Sequence, residues 1–80
     1  MDDPIGRITL IKGLMGGKPT IRGNRFLVSD VLELLQSGMV REEILKQHPI
    51  LEDEDIDACL LYAIREVNKN SAGKFDESKN

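Results

Sequence analysis

The chain has 80 residues, a net charge of −3 at pH 7 and an apolar fraction of 40%. That length holds one domain with a thin core, and it excludes a large enzyme with a substrate cleft of its own. A single cysteine excludes an intrachain disulfide framework. No apolar run is long enough to cross a membrane, and the acidic start Met1–Pro4 is unlike a secretory signal. We therefore expect a soluble cytoplasmic domain, whose small size favours a homodimer.

Charge is distributed unevenly along the chain. Residues 7–29 carry five basic side chains and no acidic one, whereas residues 30–66 carry three basic and ten acidic ones. Such an asymmetry is typical of a protein that offers one surface to an anionic partner. Ordinary solvated charge, without any partner, explains it equally well.

The first third of the chain, about residues 7–28, predicts two or three short strands. Arg7–Ile11 is apolar and rich in β-branched residues, and two further extended runs flank Gly23-Asn24. Glycine and asparagine tolerate a positive φ, so this pair predicts a hairpin turn. Strands this short need helices or a second chain to pack against.

Two predicted helices follow over about residues 29–37 and 41–48. Ser29 is the predicted N-cap of the first helix, and Gly38 is its predicted end. Val40 occupies the N-cap of the second helix, although valine cannot accept a hydrogen bond there. Pro49 prevents that helix from continuing.

The third and longest helix is predicted over about residues 53–67. Its predicted core stripe consists of Ile56, Leu60, Ala63 and Val67, with Cys59 and Ile64 beside it. Residues 68–80 are polar and lack periodicity, and Phe75 is their only large apolar residue. The sequence thus predicts a single domain over residues 1–67 and a mobile polar tail over residues 68–80.

Motifs that would carry catalysis or bind a metal are incomplete. Gly17-Lys18 lacks the preceding glycine and the following hydroxyl residue of a phosphate-binding loop. The acidic run Asp53–Asp57 lacks the glycine and the glutamate of a calcium loop. His48 and Cys59 are the only residues of their types, too few for a metal site within one chain. We expect no enzymatic activity, no catalytic residue, no metal and no cofactor.

Three helices with a short turn after the first are typical of a trihelical helix-turn-helix domain. The third helix of such a domain enters the DNA major groove with its N-terminal end, which here is strongly acidic and would repel phosphates. The basic hairpin is the better DNA-binding surface. Its candidate residues are Lys18, Arg22 and Arg25. Ion pairing of these side chains with the acidic helices is at least as good an explanation of their charge.

A family resemblance rests on the run Gly16–Arg25, with the sequence GGKPTIRGNR. Further matching positions are Val28, Val31-Leu32, Leu35, Ser37-Gly38, Glu42–Leu45, His48-Pro49, Leu51, Asp55-Ile56 and Ala58–Ala63. Over about residues 7–64 the chain resembles the "domain of unknown function 433" family, which includes antitoxin-like proteins of the VapB type. It departs from the usual family pattern at Asn24, Leu27, Val40 and Glu52.

The resemblance implies a homeodomain-like trihelical fold preceded by short strands. For many members it also implies an antitoxin that binds a PIN-like nuclease toxin and represses its own operon. An acidic protein is suited to cover a basic nucleic-acid-binding cleft. The candidate partner-binding residues are Glu52, Asp53, Asp55 and Phe75. The alternatives are a DNA-binding regulator without a toxin and a dimeric protein-interaction module.

Overall fold

Three helices follow a short two-stranded sheet in a computed structural model, which describes residues 3–71, with side chains described through Lys69. The elements, in chain order, are a 3₁₀ helix Pro4–Arg7, β1 Ile8–Thr9, a 3₁₀ turn Met15–Gly17, β2 Thr20–Ile21, α1 Val28–Gln36, α2 Arg41–Gln47 and α3 Asp53–Ser71. The predicted mainly helical fold is confirmed. Because α3 extends to Ser71, the start of the predicted tail is helical. The predicted tail residues 72–80, with Phe75, lie outside the described residues.

The sheet pairs the two ends of the N-terminal third. β1 and β2 are antiparallel, with Ile8 opposite Ile21 and Thr9 opposite Thr20. The hydroxyl groups of Thr9 and Thr20 lie 2.8 Å apart, which satisfies the fully buried Thr20. The strongest pairing therefore joins segments separated by a long loop, rather than the two runs around Gly23-Asn24.

The Gly23-Asn24 segment does turn the chain, but it closes only a minimal hairpin. The Asn24 amide donates to the Ile21 carbonyl at 2.8 Å, and one isolated bridge joins Thr20 to Leu27. The ladder stops there because α1 begins at Val28. The predicted turn is therefore confirmed, and Thr20–Ile21 before it is a strand, whereas the run after the turn contributes only the bridge residue Leu27.

The start of α1 differs from its prediction. Its N-cap is Leu27, not Ser29, and the Asp30 carboxylate accepts the Leu27 amide at 3.2 Å. Asp30 also lies in the first helical turn, where the helix dipole favours an anion. Ser29 lies inside the first turn of α1, and the Asp30 carboxylate supplies the half of a capping box that binds the amide of the cap residue.

Gly38 ends α1 as predicted, by a Schellman arrangement. Its φ is +100°, a conformation that glycine adopts without steric cost. The Gly38 amide donates to the Leu35 carbonyl at 3.0 Å, and the Met39 amide donates to the Leu34 carbonyl at 3.2 Å. These two bonds satisfy carbonyls at the helix end and direct the chain into α2.

The core lies where α1, α2, α3 and β2 meet. Its buried apolar residues are Ile21, Val28, Val31, Ile44, Leu51, Ile56 and Cys59. The predicted core stripe of α3 is correct for Ile56 but wrong for Leu60 and Val67, which are 38% and 62% exposed. The side of α3 that carries Ile56 and Cys59 faces the other helices. Leu60 lies further round the helix, whereas Val67 lies on nearly the same side as Ile56 but about three turns further along. Within residues 3–71, no helix is both long and apolar enough to span a membrane.

Candidate functional site

A fully buried carboxylate, Asp55, lies at the start of α3 and binds two arginines. Arg22 donates from Nε to Oδ1 at 3.0 Å and from Nη2 to Oδ2 at 2.8 Å. Arg7 donates from Nη1 to Oδ1 at 3.0 Å, and the Glu52 amide donates to Oδ2 at 2.8 Å. We call these four residues the Asp55 cluster. It satisfies both oxygens of a carboxylate whose side chain is 0% exposed.

The Asp55 cluster keeps this carboxylate ionised. Burial by itself would raise the pKa of Asp55, since the interior disfavours a charge. The hydrogen bonds from Arg22, the Glu52 amide and Arg7 outweigh that effect, so the pKa of Asp55 lies below its ordinary value. The cluster is therefore an ion-paired anchor between the N-terminal third and α3.

The backbone conformation around Arg22 and Arg7 directs both side chains towards α3. Arg22 follows β2 directly and has a φ of +49°, which is uncommon for a residue with a side chain. Its amide donates to the Arg7 carbonyl at 2.7 Å, which holds the two arginines side by side. Its Nη2 also donates to the Ile50 carbonyl at 2.7 Å. A turn residue that sequence reasoning placed on a DNA-binding surface thus ties the sheet to α3.

The other predicted partner-binding acids are also engaged by arginines of the same chain. Glu52 accepts from Arg7 at 2.8 Å. Arg41 of α2 bridges Asp53 and Asp57, with nitrogen–oxygen distances of 3.0 Å to each. The side chains of Glu52 and Asp53 remain 55% and 58% exposed, so they are accessible from outside, unlike Asp55. The acidic start of α3 is therefore partly neutralised from within the molecule.

The three candidate DNA-binding residues are not brought together as one patch. Lys18 and Arg25 are exposed, and neither forms an ion pair within residues 3–69. Arg22 instead turns inward, with 32% of its side chain exposed. The basic segment thus divides into arginines used internally and cations presented to solvent.

The chain's own N-terminal segment lies along α3. Arg65 contacts Asp3 at 3.3 Å, and Arg7 at the other end of the segment contacts Glu52. These contacts flank the 3₁₀ helix Pro4–Arg7, which packs against α3. One side of the helix that would enter a DNA groove is therefore covered.

An apolar groove of about 480 Å³ lies between α1 and α3. It is lined by Val28, Leu32, Tyr62, Ala63 and Val67, together with Pro19, Ser29, Lys18 and Glu66. The floor is almost entirely apolar, and the two charged side chains are of opposite sign. Such a groove fits an apolar side chain or helix of another protein.

A second apolar surface adjoins the groove on the outward side of α3. We call Leu60, Ile64 and Val67 the outer stripe; their exposed fractions are 38%, 56% and 62%. Sequence reasoning missed both surfaces because it assigned most of these positions to the core. The unbroken apolar run Cys59–Ile64 could have indicated these surfaces. A helix that is apolar on all sides packs against more than one apolar surface, so one core stripe does not account for it.

His48 and Cys59, the only histidine and cysteine of the chain, both pack against other side chains. Cys59 is fully buried, and burial together with the charge of Asp55 raises the pKa of its thiol to about 12. The ring of His48 lies edge-on to Phe26, with centroids 5.2 Å apart. A thiol with that pKa is protonated at neutral pH and is a poor nucleophile.

The family model described as "Protein of unknown function (DUF433)" matches residues 8–63. The chain belongs to the DUF433 family. The part matched by the DUF433 model includes Arg22, Asp55, Lys18 and Arg25 and ends at Ala63, so much of the outer stripe lies beyond it. None of the curated proteins matches the chain.

A solved structure supports the same relationship. The chain is similar to the crystal structure of a DUF433 member protein from Anabaena variabilis ATCC 29413, with a TM-score of 0.72 and 28% sequence identity. The match covers 79% of this chain and 62% of that one. The present chain therefore spans less than two thirds of that DUF433 protein.

Proposed function

We propose that this DUF433 protein is an antitoxin-type binding module, acting in the cytoplasm without enzymatic activity of its own. Its partner is a nuclease toxin, which it neutralises by direct contact. The observation that carries the proposal is the apolar groove between α1 and α3, about 480 Å³ in volume and open at the surface. An apolar concavity bordered by a few polar groups is the ordinary form of a binding site.

The groove, rather than the acidic start of α3, is the better site for the partner. Asp55 is fully buried, and Glu52 and Asp53 already pair with arginines. A partner cation would have to compete with those arginines, so it would gain little from exposed pairs. An apolar segment that enters the groove displaces water from Leu32 and Tyr62 and breaks no existing ion pair.

Co-expression with the product of the adjacent gene tests the proposal. We expect that product to stop growth when expressed alone, and to co-purify with this chain when the two are expressed together. Ser29→Trp, at an exposed position on the groove wall, should fill the groove and abolish both rescue and co-purification. Gln36→Trp, at an exposed position of α1 outside the groove, is the matched control. A neighbouring product that is neither toxic nor bound would refute the proposal.

A second candidate function is DNA binding by the exposed cations, through which an antitoxin could repress its own operon. Lys18 and Arg25 support it because both are exposed and neither forms an ion pair within the described chain. Affinity for the upstream DNA should fall steeply with salt. Replacing both residues with alanine should lower the slope of log affinity against log salt by about 2. Lys46→Ala, on α2, is the control; an unchanged slope in the double variant would exclude this surface.

A further inference from the structure

The outer stripe has the spacing of a helix-pairing seam. Leu60, Ile64 and Val67 follow one another at intervals of four and three residues, which places them on one face along about 10 Å of α3. Alternating intervals of three and four are those of the apolar positions in paired helices. Asp57 precedes Leu60 by three residues in the same row, so the seam has an acidic end.

We propose that the outer stripe is the contact between two copies of this chain, whose α3 helices pair in antiparallel orientation. Val67 borders both the stripe and the groove, but Ile64 does not line the groove and Ser29, on α1, does not belong to the stripe. Loss of self-association and loss of partner binding are therefore separate experimental outcomes.

The order of residues in the stripe makes it complementary to itself. In an antiparallel pair centred near Ile64, Leu60 lies opposite Val67 of the partner subunit. Ile64 then lies close to Ile64 of the partner subunit, on the twofold axis. A twofold interface requires this kind of self-matching surface, and it covers the three exposed apolar side chains on both copies at once.

Charge selects the antiparallel orientation. The first turns of α3 carry Asp53, Glu54 and Asp57, whereas Lys69 lies near the other end of the described helix, with 70% of its side chain exposed. A parallel pair would set Asp57 against Asp57 of the partner subunit. Asp57 already pairs with Arg41 and Lys69 with Glu66, so the orientation depends on the net charge of the helix ends and not on a new ion pair. An antiparallel pair places the acid-rich first turns of one α3 away from those of the other and opposes the two helix dipoles.

Sedimentation of the full chain over a range of concentrations tests the proposal. We expect a reversible dimer with a Kd on the order of 10 μM, because the seam is short compared with a standard interface. Ile64→Glu should raise that Kd by at least about a hundredfold, since the change enters the seam from both copies. Ile50→Glu is the matched control: Ile50 is 48% exposed and lies outside the stripe, so its dimer should persist. A wild-type chain that stays monomeric, or a dimer that Ile64→Glu leaves intact, overturns the proposal.

Disulfide trapping tests the orientation without depending on the stability of the glutamate variant. Ile64→Cys should form a covalent dimer when treated with oxidised glutathione, because only residues near the twofold axis approach their own copy. The native Cys59 contributes little background, since it is fully buried. Glu42→Cys, exposed on α2, should crosslink far more slowly. Equal crosslinking of the two variants overturns the proposal. Alkylation of the Ile64→Cys thiol gives a second check. If the product of the adjacent gene protects this thiol and self-association does not, the stripe binds that protein and the proposal is overturned.

Discussion

The guanidinium of Arg22 donates two hydrogen bonds to the buried carboxylate of Asp55, with distances of 3.0 Å from Nε to Oδ1 and 2.8 Å from Nη2 to Oδ2. The two residues are 33 positions apart, and the contact joins the turn after β2 to the first turn of α3. A bidentate pair fixes orientation as well as distance. The contact therefore sets how the N-terminal third sits on the helices.

Removing Arg22 should destabilise the fold. Arg22→Ala leaves Asp55 buried with only Arg7 and one amide as donors, and an incompletely paired buried charge is costly. We expect the free energy of unfolding to fall by about 2 kcal/mol, less than for a fully buried pair because Arg22 is partly solvated and Arg7 remains. Urea unfolding followed by circular dichroism measures the change.

Arg25→Ala is the matched control for that measurement. Arg25 is a neighbouring cation that forms no ion pair within residues 3–69, and its Nη1 donates a long hydrogen bond to the sulfur of Met15, at 3.7 Å. Its removal should change the free energy of unfolding by no more than about 0.5 kcal/mol. Equal losses in the two variants would show that the Asp55 cluster does not anchor the sheet. The stability of these two variants also matters for the DNA-binding test. A loss of DNA affinity in Arg22→Ala would reflect unfolding, so Arg22 is not used to test that surface.

Acid should remove the contribution of the Asp55 cluster to the free energy of unfolding. The folded pKa of Asp55 lies below its ordinary value of 3.8. Its contribution to stability is therefore complete well above pH 3.8 and is lost as the pH falls through the lowered folded value. Asp55→Asn removes this titration. The stability difference between the wild type and Asp55→Asn should be largest near pH 7 and should shrink towards pH 3; a constant difference across that range would contradict the assignment.

Local signals in the sequence were enough to place the helices. Gly38, Pro49 and the polar residues between apolar runs mark helix ends, because backbone conformation at such positions depends on the residue itself. The Arg22–Asp55 contact could not be predicted in the same way. Which arginine faces which carboxylate depends on a positive φ at Arg22 and on the path of the segment Pro4–Arg7, and both are set by tertiary packing.

The sequence also did not predict which apolar residues of α3 are buried and which are exposed. Periodicity alone identified an apolar stripe through Leu60 and Val67, but those residues are exposed, while Cys59 lies in the core. Every position from Cys59 to Ile64 is apolar, so the period does not single out one face. The position of α1 across the helix decides which apolar side chains are covered.

The N-cap of α2 offers a stabilising substitution. Val40 is the N-cap residue, is 54% exposed and makes no side-chain capping bond. Glu43 already accepts the Val40 amide at 3.2 Å, so half of a capping box is present. Val40→Ser should complete it and raise the free energy of unfolding by about 1 kcal/mol, measured as an increase in Tm. Val40→Ala is the control, since it removes the same side chain without adding an acceptor; an equal Tm for the two variants would count against capping.

The turn between α1 and α2 should be destabilised by the addition of a single methyl group at Gly38. Gly38 has a φ of +100°, and a Cβ built there meets no atom within 4 Å, so the cost of Gly38→Ala is conformational rather than steric. We expect a loss of about 1 kcal/mol in the free energy of unfolding, since alanine disfavours a positive φ. Gly6→Ala is the matched control, because Gly6 has equally open surroundings and no positive φ. That variant should be neutral or slightly stabilising, because alanine lowers the entropy of the unfolded chain. If Gly38→Ala unfolds at the same urea concentration as Gly6→Ala, the Schellman arrangement does not constrain the end of α1.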